Sequence, residues 1–276
     1  MAWLRIVAVA AVLLGAAAAG AGLVWTPPGE VIGAPELYGR GLYRRDTPFV
    51  AGGAQGADLL TLLAAVPAAL WALAGRIDRR RALVLVVALS WLLYVAASLA
   101  LGAIAFNEAF PLYVLLMPVS AAGLALALRA LGPVRAPRSL AVFLAACGLA
   151  TAMAWALLLW QEMTSGAFPP TGYYTARTTY ALDLGVIAPG CLVAALALWR
   201  RWPGRLALAL PLLALAATLL PMMALQTAMQ LRAGVRFGPE AAVPLAAFGL
   251  LSAVAAWFLW RIARGPGAAA AEGGAR

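Results

Sequence analysis

The chain has 276 residues, 65% hydrophobic and only 11% charged, with a mean hydropathy of +0.92 and a formal net charge of +10. Soluble domains carry about 25% charged residues, so this composition excludes an ordinary water-soluble domain. Every basic residue is an arginine, and the lack of histidine and lysine excludes a retinal Schiff base, bis-histidine haem, histidine zinc sites, a Walker A phosphate loop and histidine acid–base chemistry.

Taken in chain order, apolar runs fall at 6–25, 57–74, 82–104, 110–128, 140–160, 180–199, 206–229 and 241–260. Each is near the ~20 residues that cross the hydrocarbon of a bilayer, and none shows the alternation of a membrane barrel strand. The first run resembles a signal peptide in layout, but it exceeds the 7–15 apolar residues typical of one and is read as a retained helix. The expected fold is therefore an all-α integral membrane protein of eight transmembrane helices. Fourteen of the twenty arginines, against Asp78 and Glu272, fall on the side that holds both termini; the other side holds six arginines and eight acids. Basic residues in short loops mark the cytoplasmic side. This predicts N-in/C-in threading, and it assigns the positive charge to topology rather than to nucleic acid.

Helices one to four and five to eight read as two parallel four-helix units, 1–133 with an outer loop at 26–56 and 134–264 with an outer loop at 161–179. Each outer loop has Pro-Pro and a Tyr/Arg cluster, and each next run opens on Asp-Leu, at Asp58 and Asp183. Phe106-Asn-Glu108 with Pro111 matches Phe237-Gly-Pro-Glu240 with Pro244. An even number of helices per unit places the symmetry axis along the membrane normal, as in parallel-repeat transporters. Residues 265–276, rich in glycine and alanine, form an expected disordered cytoplasmic tail. Cys147 and Cys191 are too far apart in sequence for a redox motif and read as small buried hydrophobes.

Three groups are candidates for function. Asp58, Glu108, Asp183 and Glu240 start the even-numbered runs, either as an acidic outer vestibule for a cation or as caps that complement helix dipoles. Tyr94 with Ser98, and Gln226 with Gln230, are i,i+4 pairs on single helix faces, either lining a polar path or serving as packing contacts. Arg44, Arg45 and Arg177 could meet an anionic headgroup; alternatively Arg45 pairs with Asp46, Arg177 with Asp183, and the 38–49 loop lies on the outer leaflet. Pro211 and Pro221 are expected to break helix seven, as in many transporter sites.

Gly39-Arg-Gly-Leu-Tyr-Arg-Arg-Asp-Thr-Pro-Phe49, Ala54-Gln-Gly-Ala-Asp-Leu-Leu-Thr-Leu62, Phe106-Asn-Glu-Ala-Phe-Pro-Leu-Tyr113 and Tyr180-Ala-Leu-Asp-Leu-Gly-Val-Ile-Ala-Pro189 together resemble an uncharacterised group of bacterial multi-span proteins. That resemblance implies a bacterial inner-membrane location and brings no activity, catalytic residue or cofactor. The reading is of a small-solute or cation transporter. The alternatives are a non-catalytic subunit or lipid-interacting scaffold of a membrane complex, and a lipid-modifying enzyme. The bilayer, with other membrane subunits, is the expected partner. No recognised catalytic or cofactor motif is present, which weighs against an enzyme.

Overall fold

The computed structural model describes residues 1–28, 36–132, 134, 136–165, 178–239 and 242–264. In hydrocarbon, backbone N–H and C=O groups find no water, so so apolar a chain satisfies them within helices. Among the described residues there are helices and loops but no strand. Eight helices are long and apolar enough to cross a membrane: α1 (Ala2–Val24), α2 (Pro48–Leu73), α3 (Arg79–Ala100), α4 (Phe110–Ala130), α5 (Arg138–Ser165), α6 (Thr178–Trp199), α7 (Arg205–Arg232) and α8 (Ala242–Arg264). Eight such helices suggest a multi-pass membrane protein. α3 is its hub, packing on α2, α4 and α7. Of its most apolar window 67% is buried, against 11% for the peripheral α5.

α2 starts nine residues before the apolar run that predicts it. Thr47 caps the helix, its hydroxyl accepting the Val50 N–H at 3.4 Å, and Pro48 takes the first helical position, where its missing N–H costs nothing. Gly52, Gly53 and Gly56 lie inside this helix because α7 packs on them. A β-carbon at Gly52 would stand 2.6 Å from Gln230 Cα, and one at Gly56 2.7 Å from the Leu225 carbonyl carbon. Ordinary carbon contacts are about 3.5–4.0 Å. The four-residue spacing puts Gly52 and Gly56 on one face, the small-residue packing that lets membrane helices approach closely.

α2 and α6 each contain a wide π-turn, at Thr61–Ala65 and Asp183–Ile187. Each ends two residues before a proline, Pro67 and Pro189. A proline removes one ladder hydrogen bond and its ring pushes away the carbonyl four residues back, which accounts for the widened turn at that point. By contrast, α7 runs unbroken through Pro211 and Pro221, so the expected break is absent. Pro221 frees the carbonyl of Ala217, and the Ser252 hydroxyl of α8 donates to that oxygen at 2.5 Å. A neighbouring helix thus satisfies the lost bond.

α1 is packed into the bundle against α2 and α4, and Arg5 donates to the Gly75 carbonyl at 2.8 Å. Cys147 and Cys191 are free thiols where α5 meets α6. Gly148 leaves room there: a β-carbon on it would lie 3.0 Å from Cys191 Cβ.

Candidate functional site

The loop ahead of α2 is a folded cover. Gly39 and Gly41 take φ of +73° and +64°, which turns the chain back at low cost. The Tyr38 N–H donates to the Asp46 carbonyl at 2.7 Å and the Gly39 N–H to the Arg44 carbonyl at 3.0 Å. The cover is tied to the α3–α4 turn. Asp46 Oδ1 accepts the Ala105 N–H at 2.7 Å, and Arg45 donates to the Phe106 carbonyl at 3.1 Å. Arg44, buried, sends both terminal nitrogens to Glu108, at 2.6 and 3.4 Å. Burial alone would raise the Glu108 carboxyl. The hydrogen bond from Arg44, one within its own backbone, and the charges of Arg44 and Arg45 outweigh it and hold Glu108 below its usual value.

Beneath this cover lies Asp58. It is the eleventh residue of α2, not its first, and it is 1% exposed. The Tyr43 hydroxyl donates to Asp58 Oδ2 at 2.8 Å. Burial first, and the neighbouring Asp58 second, push the Tyr43 hydroxyl well above its usual value, so it stays a proton donor. Gly22 of α1 makes room for the pair. A β-carbon there would overlap Asp58 Oδ2 and lie 2.7 Å from the Tyr43 oxygen.

Two buried polar atoms face the same cluster. The Tyr113 hydroxyl sits beside Tyr43 and Asn107, within electrostatic reach of Asp58, yet it meets no partner in hydrogen-bonding geometry. Asn107 Nδ2 is likewise unpartnered, while Asn107 Oδ1 accepts the Ala109 N–H at 3.0 Å. Tyr38 extends the polar layer by donating to Gln55 Oε1 at 3.3 Å. Among the described residues the ion pairs are those of Arg44 and Arg45 with Glu108, and no cation reaches Asp58.

Asp183 belongs to a second cluster. It opens the π-turn of α6 and accepts the Trp155 indole N–H of α5 at 2.8 Å. The Tyr180 ring lies 4.4 Å from that of Trp155, and its hydroxyl donates to Glu162 at 3.4 Å. Tyr94 of α3 is within electrostatic reach of Asp183, and Ser98, half-buried, is one turn further along α3. Thr61 opens the π-turn of α2 in the same way, its oxygen accepting the Trp91 indole N–H at 2.9 Å while its hydroxyl donates to the Ala57 carbonyl at 2.9 Å.

The structure therefore gathers Asp58 and Glu108 under one cover and Tyr94 with Asp183 at another helix junction. Gln226 and Gln230 face α2, packed over Gly56 and Gly52, and Gln230 Nε2 donates to the Phe49 carbonyl at 3.0 Å. Glu240 and Arg177 lie outside the described residues. Tyr43, Asn107, Tyr113, Gly22 and Trp155 were not candidates from the sequence. Only the Gly52-x-x-x-Gly56 spacing offered a readable signal of what packs here. No group of three metal-ligating side chains converges among the described residues. Comparison of the chain with family models, curated proteins and solved structures returns no match.

Proposed function

We propose that the chain is a multi-pass carrier of the bacterial cytoplasmic membrane that moves a small cation, the proton included, and that Asp58 is its cation-bearing group. One observation carries this reading. A carboxyl in the third turn of a membrane-spanning helix is 1% exposed, has one hydroxyl donor and has no cation beside it among the described residues. A lone carboxylate in such surroundings is costly, and ionisable residues inside membrane spans mark ion pathways and proton relays. The unpartnered Tyr113 hydroxyl and Asn107 Nδ2 leave bonding capacity for a ligand or its water. The π-turn of α2 begins three residues on, and such turns are frequent at functional sites. In this reading the Arg44–Glu108 pair latches the cover, and loading from the outer side requires that latch to open.

The arginine distribution supports cytoplasmic termini and, with them, a cover on the outer side. The resemblance of the four sequence blocks supports a bacterial source. Two four-helix units are supported by recurrence, since the α1–α2, α2–α3 and α3–α4 packings return as α5–α6, α6–α7 and α7–α8. The π-turn before a proline returns as well, in α2 and α6. A second reading, a lipid-interacting subunit of a membrane complex, is favoured by the arginine-flanked crevice described below.

The test is transport by purified protein in proteoliposomes, with ion flux and charge movement recorded for protons, sodium, potassium and small ammonium ions in turn. Wild type should move one of these and Asp58→Asn should not, with Gly20→Ala as a folded control. No flux of any cation in wild type, or flux undiminished in Asp58→Asn, rejects the proposal.

A further inference from the structure

At the arginine-rich end of the bundle a cavity of about 570 Å³ opens between α2, α3 and α8, with Thr218 of α7 at its back. That is within the ~300–1,000 Å³ of small-molecule sites. Small residues on α2, Ala64 and Ala68, hold it open, and Val84, Val87 and Leu259 give it apolar walls. Its lining runs from Leu60 to Trp71 on α2 and from Arg80 to Trp91 on α3. Eleven residues of helix rise about 16 Å, close to one leaflet of the ~30 Å hydrocarbon.

The mouth is charged and aromatic. Arg80 and Arg264 line it together with Trp71 and Trp260. The guanidinium of Arg264 lies 4.3 Å from the Trp260 ring centre and that of Arg81 4.8 Å from Trp71, while Arg81 also donates to the Trp71 carbonyl at 3.0 Å. Asp78, the nearest acid in sequence, accepts the Arg81 N–H at 2.9 Å as the cap of α3. Arg80 makes no hydrogen bond or ion pair among the described residues. An apolar slot about as long as one leaflet is thick, ending in two arginines and two tryptophans, is complementary to one kind of molecule.

We propose that this crevice binds an anionic phospholipid of the leaflet on the arginine-rich side, with one acyl chain between α2, α3 and α8 and the phosphate at Arg80 and Arg264. Basic pockets between membrane helices recognise acidic headgroups in this way. Asp58 does not line the crevice, and the proposal does not rest on the carrier reading.

The experiment is native mass spectrometry of the protein released from mixed phosphatidylglycerol and phosphatidylcholine nanodiscs, paired with melting in detergent plus each lipid. Wild type should retain one phosphatidylglycerol in preference to phosphatidylcholine and melt higher with it. Arg80→Gln/Arg264→Gln should lose that preference by about thirtyfold while still binding chains. Ala64→Phe, which fills the slot, should weaken both lipids without lowering the lipid-free melting point. Equal retention of the two lipids by wild type, or a preference that survives the double arginine substitution, overturns the proposal. So does equal stabilisation by glycerol phosphate, which would make the site one for phosphate rather than lipid, or a dimer in place of a lipid adduct.

Discussion

Replacing Gly22 with alanine tests the Asp58 site through a single methyl group. The added carbon would overlap Asp58 Oδ2 and stand 2.7 Å from the Tyr43 oxygen and 2.8 Å from the Asp58 carboxyl carbon, where about 3.5–4.0 Å is ordinary for carbon contacts. Neither neighbour is a free chain end, since Asp58 and Tyr43 are each 1% exposed. The carboxyl must turn away, and the 2.8 Å hydrogen bond from Tyr43 goes with it. A hydrogen bond contributes about 0.5–1.5 kcal/mol net, overpacking costs ~1–3 kcal/mol, and the better helix propensity of alanine offsets ~1 kcal/mol. The expected net loss is roughly 1–3 kcal/mol. Gly20→Ala, two residues earlier on the same helix with nothing within 4 Å of its added carbon, should be neutral or slightly stabilising. Melting of both purified variants measures the difference. The cycle with Tyr43→Phe then asks whether the methyl acts through the pair, because sites in contact give less than additive losses. If Gly22→Ala melts with Gly20→Ala, or adds fully to Tyr43→Phe, the geometry argued for Asp58 is wrong.

Gly56→Ala should force α7 off α2 and lower stability by ~1–3 kcal/mol, whereas Gly185→Ala, with nothing within 4 Å, should not; parallel melts decide. Ser252→Ala should cost ~1–3 kcal/mol by leaving the Ala217 carbonyl without its donor, and Pro221→Ala in the same chain should recover part of that by restoring the helix bond. Recovery absent from the double variant would remove Ser252 from that role. Arg44→Lys keeps the charge but cannot reproduce two guanidinium contacts with Glu108, so hydrogen exchange should quicken across residues 36–47 while the core of α3 stays protected. Glu108 is held below its unfolded value. The stabilisation it brings is therefore complete above the ordinary carboxylate value of about 4.3 and is lost as pH falls through the lower folded-state value. Melts of wild type and Glu108→Gln should differ near neutral pH and converge on acidification; a constant gap contradicts the ion-pair assignment.

The eight spans were legible because length and the scarcity of charge decide them, and seven began within a few residues of where the apolar runs did. The start of α2 was misread because Gly52, Gly53 and Gly56 have poor helix propensity, and what overrides it is contact with α7, which no local pattern contains. That error moved Asp58 from the third turn of a helix to its mouth, where it looked like a cap. Proline was misjudged in the same way. Pro67 and Pro189 open π-turns while Pro221 leaves α7 continuous, and the donor that makes the difference, Ser252, lies 35 residues from Ala217 in the chain. The acids were found as residue types, but their partners come from other elements: Tyr43 from a loop, Trp155 from α5, Arg44 from across 64 positions.

The two aspartates also show how a sequence match differs from a structural equivalence. Aligned on Asp-Leu, Asp58 corresponds to Asp183. Aligned on the π-turns and the prolines that follow them, Asp183 corresponds instead to Thr61, and each of those residues accepts an indole N–H, from Trp155 and Trp91. Asp58 lies three residues earlier, close to one helical turn, on a segment whose neighbours are the cover and Gly22 rather than a tryptophan. The carboxyl of α6 thus stands where α2 has a hydroxyl, and the carboxyl of α2 stands under a lid of tyrosine and asparagine. Exchanging Thr61 for aspartate would place a second carboxyl beside Trp91, in the setting Asp183 has beside Trp155, and leave the Tyr43 hydrogen bond untouched. On the carrier reading such a variant keeps the cation group where the cover reaches it, so its flux should survive while that of Asp58→Asn does not. Loss of flux in Thr61→Asp with the fold intact would shift the cation-bearing position from the covered carboxyl to the π-turn itself.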